Sequence, residues 1–282
     1  MFLKRIPYHI SFRLGYYRRR RYAGMLDKVL DTPLREGPSL PIKVVSLSSK
    51  RDLPEQIACW RFLIENLGVP EQMLVISDGS HDSEDERKIR AIHPRAGLVR
   101  YEDFIGSDIP SCVHEYARIH PFGKKLAIFL TIQKLTPVLY TDSDIVYFPA
   151  ASDFRQYLTP GDVPVRYLLD CAKSHDLRLI ADPAEQEQPV NGGFVFFARS
   201  IDYSAGIERL ERLSGPAEFF SEQTIVHLSV RKAGGQALPA DRYILRHEDQ
   251  WIYSDLYSGK QVAIRHYISS IRYKMWHHVP MP

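Results

Sequence analysis

Two carboxylates stand close together in an otherwise apolar stretch, residues 138–148, with the sequence VLYTDSDIVYF. The β-branched and aromatic residues around them predict a buried strand. Because side chains alternate across a strand, Asp142 and Asp144 would share one face, where ionised carboxylates are costly to bury and repel each other. A divalent cation between them would remove both costs, so we predict a metal site. The alternative is a strand that ends at Thr141 and two acids that cap a solvated turn.

The composition is that of a globular protein with a substantial core, since 44% of the 282 residues are hydrophobic and 25% are charged. The three cysteines lie in apolar segments without metal-site spacing, so we expect reduced core thiols at positions 59, 112 and 171. No apolar run reaches the roughly 18–20 residues that cross a bilayer, and the charged N-terminus lacks the apolar core of a signal peptide. We therefore expect a cytoplasmic protein, soluble or peripheral at the inner face of a membrane.

The basic residues are concentrated at one end of the chain. Residues 1–28 contain eight Lys and Arg against Asp27 alone, a local charge of +7, so the net charge of +3 leaves −4 on residues 29–282. This one-sided distribution argues against a nucleic-acid partner for the whole protein. Aromatic residues interleaved with the cations are typical of a segment at an anionic lipid surface: Phe2, Phe12, Tyr16, Tyr17 and Tyr22. The alternative is a basic arm that packs on the acidic remainder or on a second subunit, since Pro7 and Gly15 interrupt a long amphipathic helix.

Pro and Gly residues near positions 33, 37, 38 and 41 predict a boundary, with a basic N-terminal extension and linker at 1–40 and a single domain at 41–282. The domain opens with alternating elements. Strands are predicted at 42–48, 73–77 and 98–101, and helices at 83–90 and from Asp52, as N-cap, to Gly68. This alternation predicts an α/β fold with a doubly wound, mostly parallel sheet.

The acidic stretch follows a buried helix at 126–134, which Lys124 and Lys125 precede. Further strands are predicted at 165–170, 193–197, 243–245 and 262–264, a helix near 207–213, and another that Ser221 caps. In open α/β sheets ligands bind beyond the carboxyl ends of the strands, where Asp78 and the acidic pair lie. Two lysines at a helix start oppose the helix dipole, which indicates an anionic partner.

An ordered set of landmarks over residues 42–276 resembles the GT-A-fold glycosyltransferases, in particular the glycogenin-like and bacterial lipopolysaccharide galactosyltransferase branch. The landmarks are a first strand ending in polar residues, Asp78-Gly79-Ser80, Lys124-Lys125, Asp142-x-Asp144, Asn191-Gly192-Gly193, Glu222-Gln223 and His266. The resemblance implies a Rossmann-like central sheet flanked by helices and a less regular C-terminal half on the acceptor side. It also implies an enzyme that moves a hexose from a nucleoside-diphosphate sugar, with UDP as the nucleotide, to a glycan or lipid-linked acceptor.

By this resemblance, Asp142, Asp144 and His266 hold a Mn²⁺ or Mg²⁺ ion that bridges the two phosphates, and Asp142 alternatively contacts the ribose. An imidazole ligand favours Mn²⁺ over Mg²⁺. The branch often ends in His-x-x-Gly-x-x-Lys-Pro-Trp, whose lysine closes over the diphosphate. Here Ser269 replaces the glycine and Arg272 the lysine, while Lys274 follows two residues late. Shared strand parity would let both cations reach the diphosphate.

The remaining site residues are assigned by the same resemblance. Asn191 and Gly192 belong to an Asn-x-Gly turn beneath the sugar, and Glu222 and Gln223 to an acid–amide pair near the anomeric carbon. Glu222 is the candidate general base if the reaction inverts configuration. Four more residues are expected to bind the nucleotide-sugar: Ser48, Lys50, Asp78 and Lys125.

Other interpretations stay open at this point. A haloacid-dehalogenase-like phosphatase would use Asp142 as its nucleophile, but no Gly-Asp-x-x-x-Asp or Asp-Asp pair follows. A sugar nucleotidyltransferase would need glycines that cradle a triphosphate, and residues 46–53 contain none. A non-catalytic module that keeps the fold and binds a nucleotide-sugar remains. Plain structural roles also exist: a core histidine for His266, a turn for Asp78-Gly79-Ser80 and a helix-start charge for Glu222.

Overall fold

The computed structural model describes residues 5–159 and 161–281, so Phe2 and Lys4 of the basic segment lie outside the described residues. Within these residues, ten strands form two sheets. The seven-stranded sheet contains β1 (Ser39–Ser48), β2 (Val69–Ser77), β3 (Ala96–Arg100), β4 (Val138–Thr141), β6 (Val165–Leu169), β7 (Val190–Phe197) and β8 (Gln236–Ala237). The three-stranded sheet contains β5 (Ile145–Tyr147), β9 (Tyr243–Ile244) and β10 (Ile264–His266).

The strand order β3-β2-β1-β4-β7-β6-β8 decides which residues meet. Strands β1 to β4 are mutually parallel, β7 runs antiparallel to both β4 and β6, and β6 is parallel to β8. The carboxyl ends of β1, β2, β4 and β6 and the start of β7 therefore share one edge of the sheet. The predicted α/β fold with a mostly parallel central sheet is confirmed.

Ten α-helices of the described residues flank the sheets. Their bounds are α1 (Arg5–Ala23), α2 (Leu26–Asp31), α3 (Leu53–Asn66), α4 (Ser83–Arg90), α5 (Tyr101–Phe104), α6 (Ser111–Ile119), α7 (Pro121–Ile132), α8 (Ser204–Glu211), α9 (Ser221–Lys232) and α10 (Arg272–His278). One core cluster contains Trp60 of α3 and Trp276 of α10, and the other contains apolar residues of α6, α7 and α9. No helix in residues 5–159 or 161–281 is both long enough and apolar enough to cross a bilayer.

The acidic stretch is not the continuous strand that its composition predicts. Strand β4 ends at Thr141, Asp142 to Asp144 form a turn, and β5 leaves for the second sheet, where it pairs with β10. The turn is nevertheless only partly solvated, because Asp144 is 3% exposed while the Asp142 side chain is 26% exposed. Both sequence interpretations of this stretch are therefore wrong in part. The chain changes sheets at the two acids, and the apolar residues on either side enter different sheets.

Other elements differ from the predictions at their ends. Helix α7 begins at Pro121 with the His120 side chain accepting from the Phe122 N–H, so Lys124 and Lys125 lie inside the helix. Strand β7 begins at Val190, which places the expected Asn-x-Gly turn within a strand. Asp52 does not cap α3 with its side chain, and Ser221 lies inside α9. Of the cysteines only Cys59 is buried, while Cys112 is half-buried and Cys171 is exposed, so the expectation of three core thiols is wrong.

The described part of the basic segment is folded against the rest of the chain. Helix α1 packs along α10, and Tyr22, Leu26 and Val29 join the first core cluster. The boundary between an extension and a main domain at residue 40 stays a prediction.

Candidate active site

The polar residues of the candidate site gather at the sheet edge where β1, β2, β4 and β6 end. Asp142 follows β4 directly, and its N–H donates to the Gly193 carbonyl of β7 at 2.8 Å. Asp144 lies two residues on, and its carbonyl accepts from the Tyr267 N–H at 2.8 Å, just beyond β10. The turn between the two sheets is thus held on both sides by main-chain hydrogen bonds.

Asp142, Asp144 and His266 converge as predicted. One ligand atom from each lies within 4.8 Å of the other two, and in the described part of the chain no other such group of His, Cys, Asp and Glu was found. His266 Nε2 is 3.0 Å from Asp144 Oδ1 and 3.8 Å from Asp142 Oδ2. His266 is 122 positions from Asp144 in the sequence, and β10 brings it there by pairing with β5.

The hydrogen bonds of Asn191 define which nitrogen of His266 faces the acids. Asn191 Oδ1 accepts from the Gly193 N–H at 2.9 Å, and its Nδ2 donates to Asp170 Oδ2 at 3.1 Å, so the amide has one consistent orientation. The same Oδ1 is 3.0 Å from His266 Nδ1, which must therefore carry the proton. Nε2 then presents either a lone pair or, in the imidazolium, a second proton to Asp144.

This donor set fits a divalent cation. A lone pair on Nε2 and an ionised Asp144 oxygen 3.0 Å away repel each other unless a proton or a cation lies between them. Two carboxylates with one imidazole suit Mn²⁺ and also accept Mg²⁺. Asn191 holds the far nitrogen of the imidazole, as a partner behind a metal-binding histidine does. The ligands are thus oriented from behind by residues that would not touch the ion.

Cations of the chain lie beside both acids. Arg272 donates from Nη2 and Nε to Asp144 Oδ2 at 2.6 and 2.9 Å, and from Nη1 to Asp52 Oδ1 at 3.0 Å. Burial acts to raise the pKa of Asp144, but His266 and Arg272 outweigh burial and hold that pKa well below its ordinary value. Lys125 Nζ donates to both Asp142 oxygens at 3.0 and 3.1 Å. Burial acts to lower the pKa of Lys125, and Asp142 and Glu222 together raise it above the ordinary value.

Glu222 is the other acid of the site, and its surroundings differ from those of the pair. It is 2% exposed, and its Oε1 has no hydrogen-bond partner among the described residues. Burial raises the pKa of Glu222 to about 7, with Lys125 acting to lower it and Asp142 to raise it. Near neutral pH this carboxyl is therefore able to accept or to release a proton.

Two adjacent glycines of β7 make room for the two halves of the site. A Cβ on Gly193 would overlap the His266 imidazole, 2.7 Å from Nδ1. A Cβ on Gly192 would lie 3.1 Å from Glu222 Oε1 and 3.6 Å from Lys125 Cε. Neighbouring residues of a strand point to opposite faces, so β7 separates the metal-ligand side from the Glu222 side. The sequence resemblance expected these glycines for a turn, and the structure uses them for close approach.

The residues expected at the nucleotide form a second group at the ends of β1 and β2. The Asp78 N–H donates to the Ser48 carbonyl at 3.1 Å, and Lys124 Nζ donates to the Asp78 carbonyl at 2.8 Å. Lys50 is exposed and its ammonium pairs with Asp82, with Asp85 at 3.4 Å. Their roles in binding a nucleotide stay predictions.

Lys274 does not join Arg272. Residues 272–278 form a helix and not a strand, so the shared parity expected for the two cations is wrong. Lys274 is fully buried and donates to Asp249 Oδ2 at 2.9 Å and to the Ser254 carbonyl at 2.7 Å. Its ammonium and the Arg265 guanidinium both pair with the buried Asp249. Lys274 and Arg272 therefore lie on different faces of α10.

Sequence reasoning missed two acids. Asp170, directly after β6, accepts from Asn191 and from Gln223 Nε2 at 3.0 Å and so links the predicted catalytic residues. Its signal was available, because it is the last residue of the predicted strand 165–170, next to the position that Asp78 has after the predicted strand 73–77. Asp52, interpreted as a helix cap, is the second partner of Arg272. Nothing local in the sequence indicates that pairing.

No protein-family model and no curated protein matches this chain. Solved structures do. The galactosyltransferase LgtC, solved with donor and acceptor sugar analogues, is 14% identical over 86% of this chain and 97% of its own, with a TM-score of 0.53. Apo GlyE from Streptococcus pneumoniae TIGR4 is 15% identical over 86% of this chain and 61% of its own, also at 0.53. Mouse xyloside xylosyltransferase 1 is 10% identical over 86% of this chain and its entire length, at 0.51. At such identities the likeness establishes the fold, and it confirms the GT-A resemblance.

Proposed function

We propose that this chain, which has the GT-A fold, is a metal-dependent glycosyltransferase that moves a hexose from a nucleoside-diphosphate sugar to a glycan or lipid-linked acceptor. UDP is the proposed nucleotide, by the sequence resemblance. The observation that carries the proposal is the group of the half-buried Asp142 with the buried Asp144 and His266 at the ligand-binding edge of the sheet. A cytoplasmic location is part of the same proposal.

On the donor side, a bound Mn²⁺ or Mg²⁺ would supply a Lewis acid that stabilises the diphosphate leaving group. Asp142, Asp144 and His266 Nε2 would hold that ion, and Asn191 keeps the imidazole turned toward it. Arg272 adds a charged donor beside Asp144, where the leaving group gains negative charge. Its contribution is therefore expected to be larger in the transition state than in the bound ground state.

On the acceptor side, Glu222 would face the sugar across Gly192. In an inverting reaction its carboxylate takes the proton of the acceptor hydroxyl, and a carboxyl group that titrates near pH 7 suits that task. In a retaining reaction the same side chain orients the acceptor. Gln223 is fixed by Asp170 and the Ser174 carbonyl, so its free amide oxygen is available to a sugar hydroxyl.

A thermal-shift panel tests the proposal directly. UDP, GDP, CDP and dTDP are each added with Mn²⁺, with Mg²⁺ and with a chelator. A ligand of the native state at 100 times its dissociation constant stabilises by about 2.7 kcal/mol. We expect a shift with UDP and Mn²⁺ that the chelator removes, and the absence of a shift with every metal–nucleotide pair would overturn the proposal.

Turnover separates an enzyme from a module that only binds. UDP-hexoses are incubated with Mn²⁺, and UDP release is measured with and without candidate glycan acceptors. Binding without any release, even by slow hydrolysis of the donor, would favour the non-catalytic alternative. A phosphatase of the haloacid-dehalogenase type needs a further acid at the metal site, and His266 occupies that position among the described residues.

A further inference from the structure

Most of the exposed large hydrophobic side chains of this protein lie in one region. Twelve such side chains are exposed in the described residues, and eight belong to helix α1 and to the segment 251–256, which we call the Trp251 loop. The eight are Ile10, Phe12, Leu14, Tyr16 and Tyr17 of α1, and Trp251, Tyr253 and Leu256 of the loop. Exposing apolar side chains to water costs free energy, so their clustering suggests a contact surface.

Helix α1 is held on the body by the opposite face. Ser11, Gly15 and Tyr22 are buried, and a Cβ on Gly15 would overlap the Tyr273 carbonyl of α10. Arg18 donates to the carbonyls of Trp276 at 2.6 Å and Val279 at 2.8 Å. With 3.6 residues per turn, the other side of the helix carries what we call the α1 outer face: Ile10, Arg13, Leu14, Tyr17, Arg20 and Arg21.

The cations of the α1 outer face are not neutralised. Arg13, Arg20 and Arg21 are exposed, and none has an acidic group within 4.0 Å in the part of the chain that the structure describes. Their neighbour Arg19 differs, because it turns inward to pair with Glu55. The positive charge of this face is therefore available to an anionic partner.

The Trp251 loop packs against helix α1. The Trp251 ring lies 5.1 Å from the ring of Tyr8, and the Tyr253 carbonyl accepts from Ser11 Oγ at 3.0 Å. Trp251 is itself 59% exposed. The part of the molecule that contains α1 therefore exposes both the arginines of the α1 outer face and the Trp251 ring.

We infer that the α1 outer face and the Trp251 loop together bind the surface of an anionic lipid bilayer. Tyr and Trp rings settle at the boundary between headgroups and acyl chains, while each arginine adds electrostatic attraction. A second copy of this chain fits poorly, because a twofold contact would oppose Arg13, Arg20 and Arg21 to themselves. A nucleic acid would use the arginines but leave Ile10 and Leu14 exposed to water.

Helix α1 also borders the candidate active site. Tyr16 and Arg19 of α1 line a pocket whose other walls include Asp52 and Arg272. A chain that docks through α1 would therefore hold this pocket close to the bilayer. This orientation favours a lipid-linked acceptor over a free glycan, an inference that rests on the proposed function.

Vesicle flotation of the full chain tests the inference. Vesicles of phosphatidylcholine alone are compared with vesicles that contain 30 mol% phosphatidylglycerol, in low and in high salt. We expect flotation with the anionic vesicles only, and its loss at 0.5 M salt, where charges are screened within a few ångströms. Equal flotation with neutral vesicles, or none with either, would overturn the inference.

Trp251 provides a second and independent measurement. Trp60 and Trp276 are at most 1% exposed, so a change in tryptophan emission on vesicle binding reports mainly on Trp251. We expect a blue shift and quenching by brominated lipid, both absent from Trp251→Phe, which still floats. An unchanged tryptophan emission spectrum of the vesicle-bound protein would show that the loop does not contact the bilayer.

A matched pair of variants tests which cations contribute to binding of anionic vesicles. Replacing Arg13, Arg20 and Arg21 with Gln should weaken binding to anionic vesicles by on the order of a hundredfold, since each basic residue contributes roughly fivefold. The control replaces three exposed cations elsewhere, Arg118, Arg212 and Arg231, with Gln and should bind as the wild type does. Equal loss in both variants would show that net charge, and not this surface, is responsible.

The failure of this inference is distinguishable from failure of the proposed function. The Arg13, Arg20 and Arg21 substitutions should leave the metal-dependent nucleotide shift unchanged, because these residues do not touch the site. Flotation without any nucleotide shift would refute the function alone. If a mixed-sequence oligonucleotide binds as tightly as the vesicles and displaces them, the surface recognises polyanions in general, and the membrane assignment is wrong.

Discussion

The charges of the site are balanced by individual side chains. The half-buried Asp142 is paired with Lys125, and the buried Asp144 with Arg272 and His266, so side chains of the protein compensate the charge of each acid. Asp52 shares Arg272 and thereby ties the loop after β1 to α10. The site is therefore a preassembled group of ion pairs, and a cation and a diphosphate would replace some of these contacts.

The first prediction concerns Asp144→Asn. The amide loses the negative charge that a cation requires, so the Mn²⁺-dependent shift with UDP should disappear. In metal-free buffer the free energy of unfolding should fall by about 2 kcal/mol, because the half-buried Arg272 guanidinium loses its ionised hydrogen-bond acceptor. Urea unfolding and thermal shift measure the two effects.

The control is Asp108→Asn, which breaks an exposed pair with Lys134 and should change neither quantity. Unchanged Mn²⁺-dependent affinity for UDP in the Asp144 variant would refute the metal assignment.

The second prediction uses the raised pKa of Glu222. Because burial raises this pKa to about 7 in the folded protein, between pH 4.5 and 7 the folded chain keeps a proton that the unfolded chain has lost. Stability of the wild type therefore falls as pH rises through this window, and Glu222→Gln lacks that fall. In metal-free buffer, the free energy of unfolding of Glu222→Gln relative to that of the wild type should increase by about 3 kcal/mol from pH 4.5 to pH 8.

Unfolding free energies measured across this pH range give the test. Glu211→Gln, at the exposed end of α8, should track the wild type throughout. If the Glu222 variant also does so, the carboxyl is already ionised in the folded protein at low pH.

Among the secondary-structure elements, strand β7 has the largest role in separating the two sides of the site. Asn191 and Gly193 share the face that holds His266, and Gly192 faces Glu222 and Lys125. A strand buried along its whole length keeps these side chains in register with little freedom. The neighbouring glycines can therefore be used to perturb one side at a time.

The third prediction compares Gly193→Ala with Gly192→Ala. The first Cβ would overlap the His266 ring and displace it, so Mn²⁺ affinity should fall at least tenfold. The second Cβ meets only the end of the Glu222 side chain at 3.1 Å, so it should lower turnover while Mn²⁺ affinity stays within about threefold.

Calorimetric titration with Mn²⁺ measures the affinity, and circular dichroism verifies that both variants are folded. Similar Mn²⁺ affinities in two folded variants would show that β7 does not partition the site in this way.

The fourth prediction separates two cations of helix α10. Arg272→Gln removes charged donors beside Asp144 and should lower turnover by about a hundredfold, with a smaller effect on UDP binding. Lys274→Met leaves Asp249 with one cation fewer inside a buried cluster, so it should lower stability by about 3 kcal/mol and spare turnover of the folded fraction.

Steady-state kinetics and urea unfolding of both variants measure this division. If the two substitutions lower turnover equally at a temperature where both proteins are folded, Lys274 also reaches the reaction centre.

For the molecule as a whole, the N-terminal helices are part of the folded body. Tyr22 contacts Trp276 with ring centroids 5.2 Å apart, and both side chains are buried. Arg19 and Glu55 connect α1 to α3, and Arg18 connects it to α10. The described part of the basic segment thus packs on the remainder through one face, and the lipid contact of its outer face stays a proposal.

The fifth prediction is that deletion of residues 1–24 lowers the melting temperature. Loss of the buried Tyr22 alone should cost about 3 kcal/mol, which corresponds to about 5 °C for a chain of this size. Differential scanning calorimetry measures the shift, and light scattering establishes whether the exposed α10 surface causes association. An unchanged melting temperature would mean that α1 contributes no stabilising contact.

The sequence alone determined the pattern that depends on local burial. Alternating apolar stripes and polar breaks located β1, α3, β2 and β3 in order, and α4 was predicted at its observed bounds, residues 83–90. Asp142, Asp144 and His266 were also selected from the sequence, by an ordered set of motifs and not by any one of them. These predictions agree with the structure because periodicity and residue type indicate which side of an element is buried.

Tertiary structure alone decided how distant residues pair. The acids lie in a turn between two sheets because β5 pairs with β10, an element more than a hundred residues away. Arg272 reaches Asp144 across 128 positions while Lys274 turns to Asp249, since residues 272–278 are helical and not extended. Asp170 and Asp52 acquire partners only through the strand order and the packing of α10. Local patterns carry no information about such contacts, because each depends on the free energy of the whole folded chain and not on its own segment.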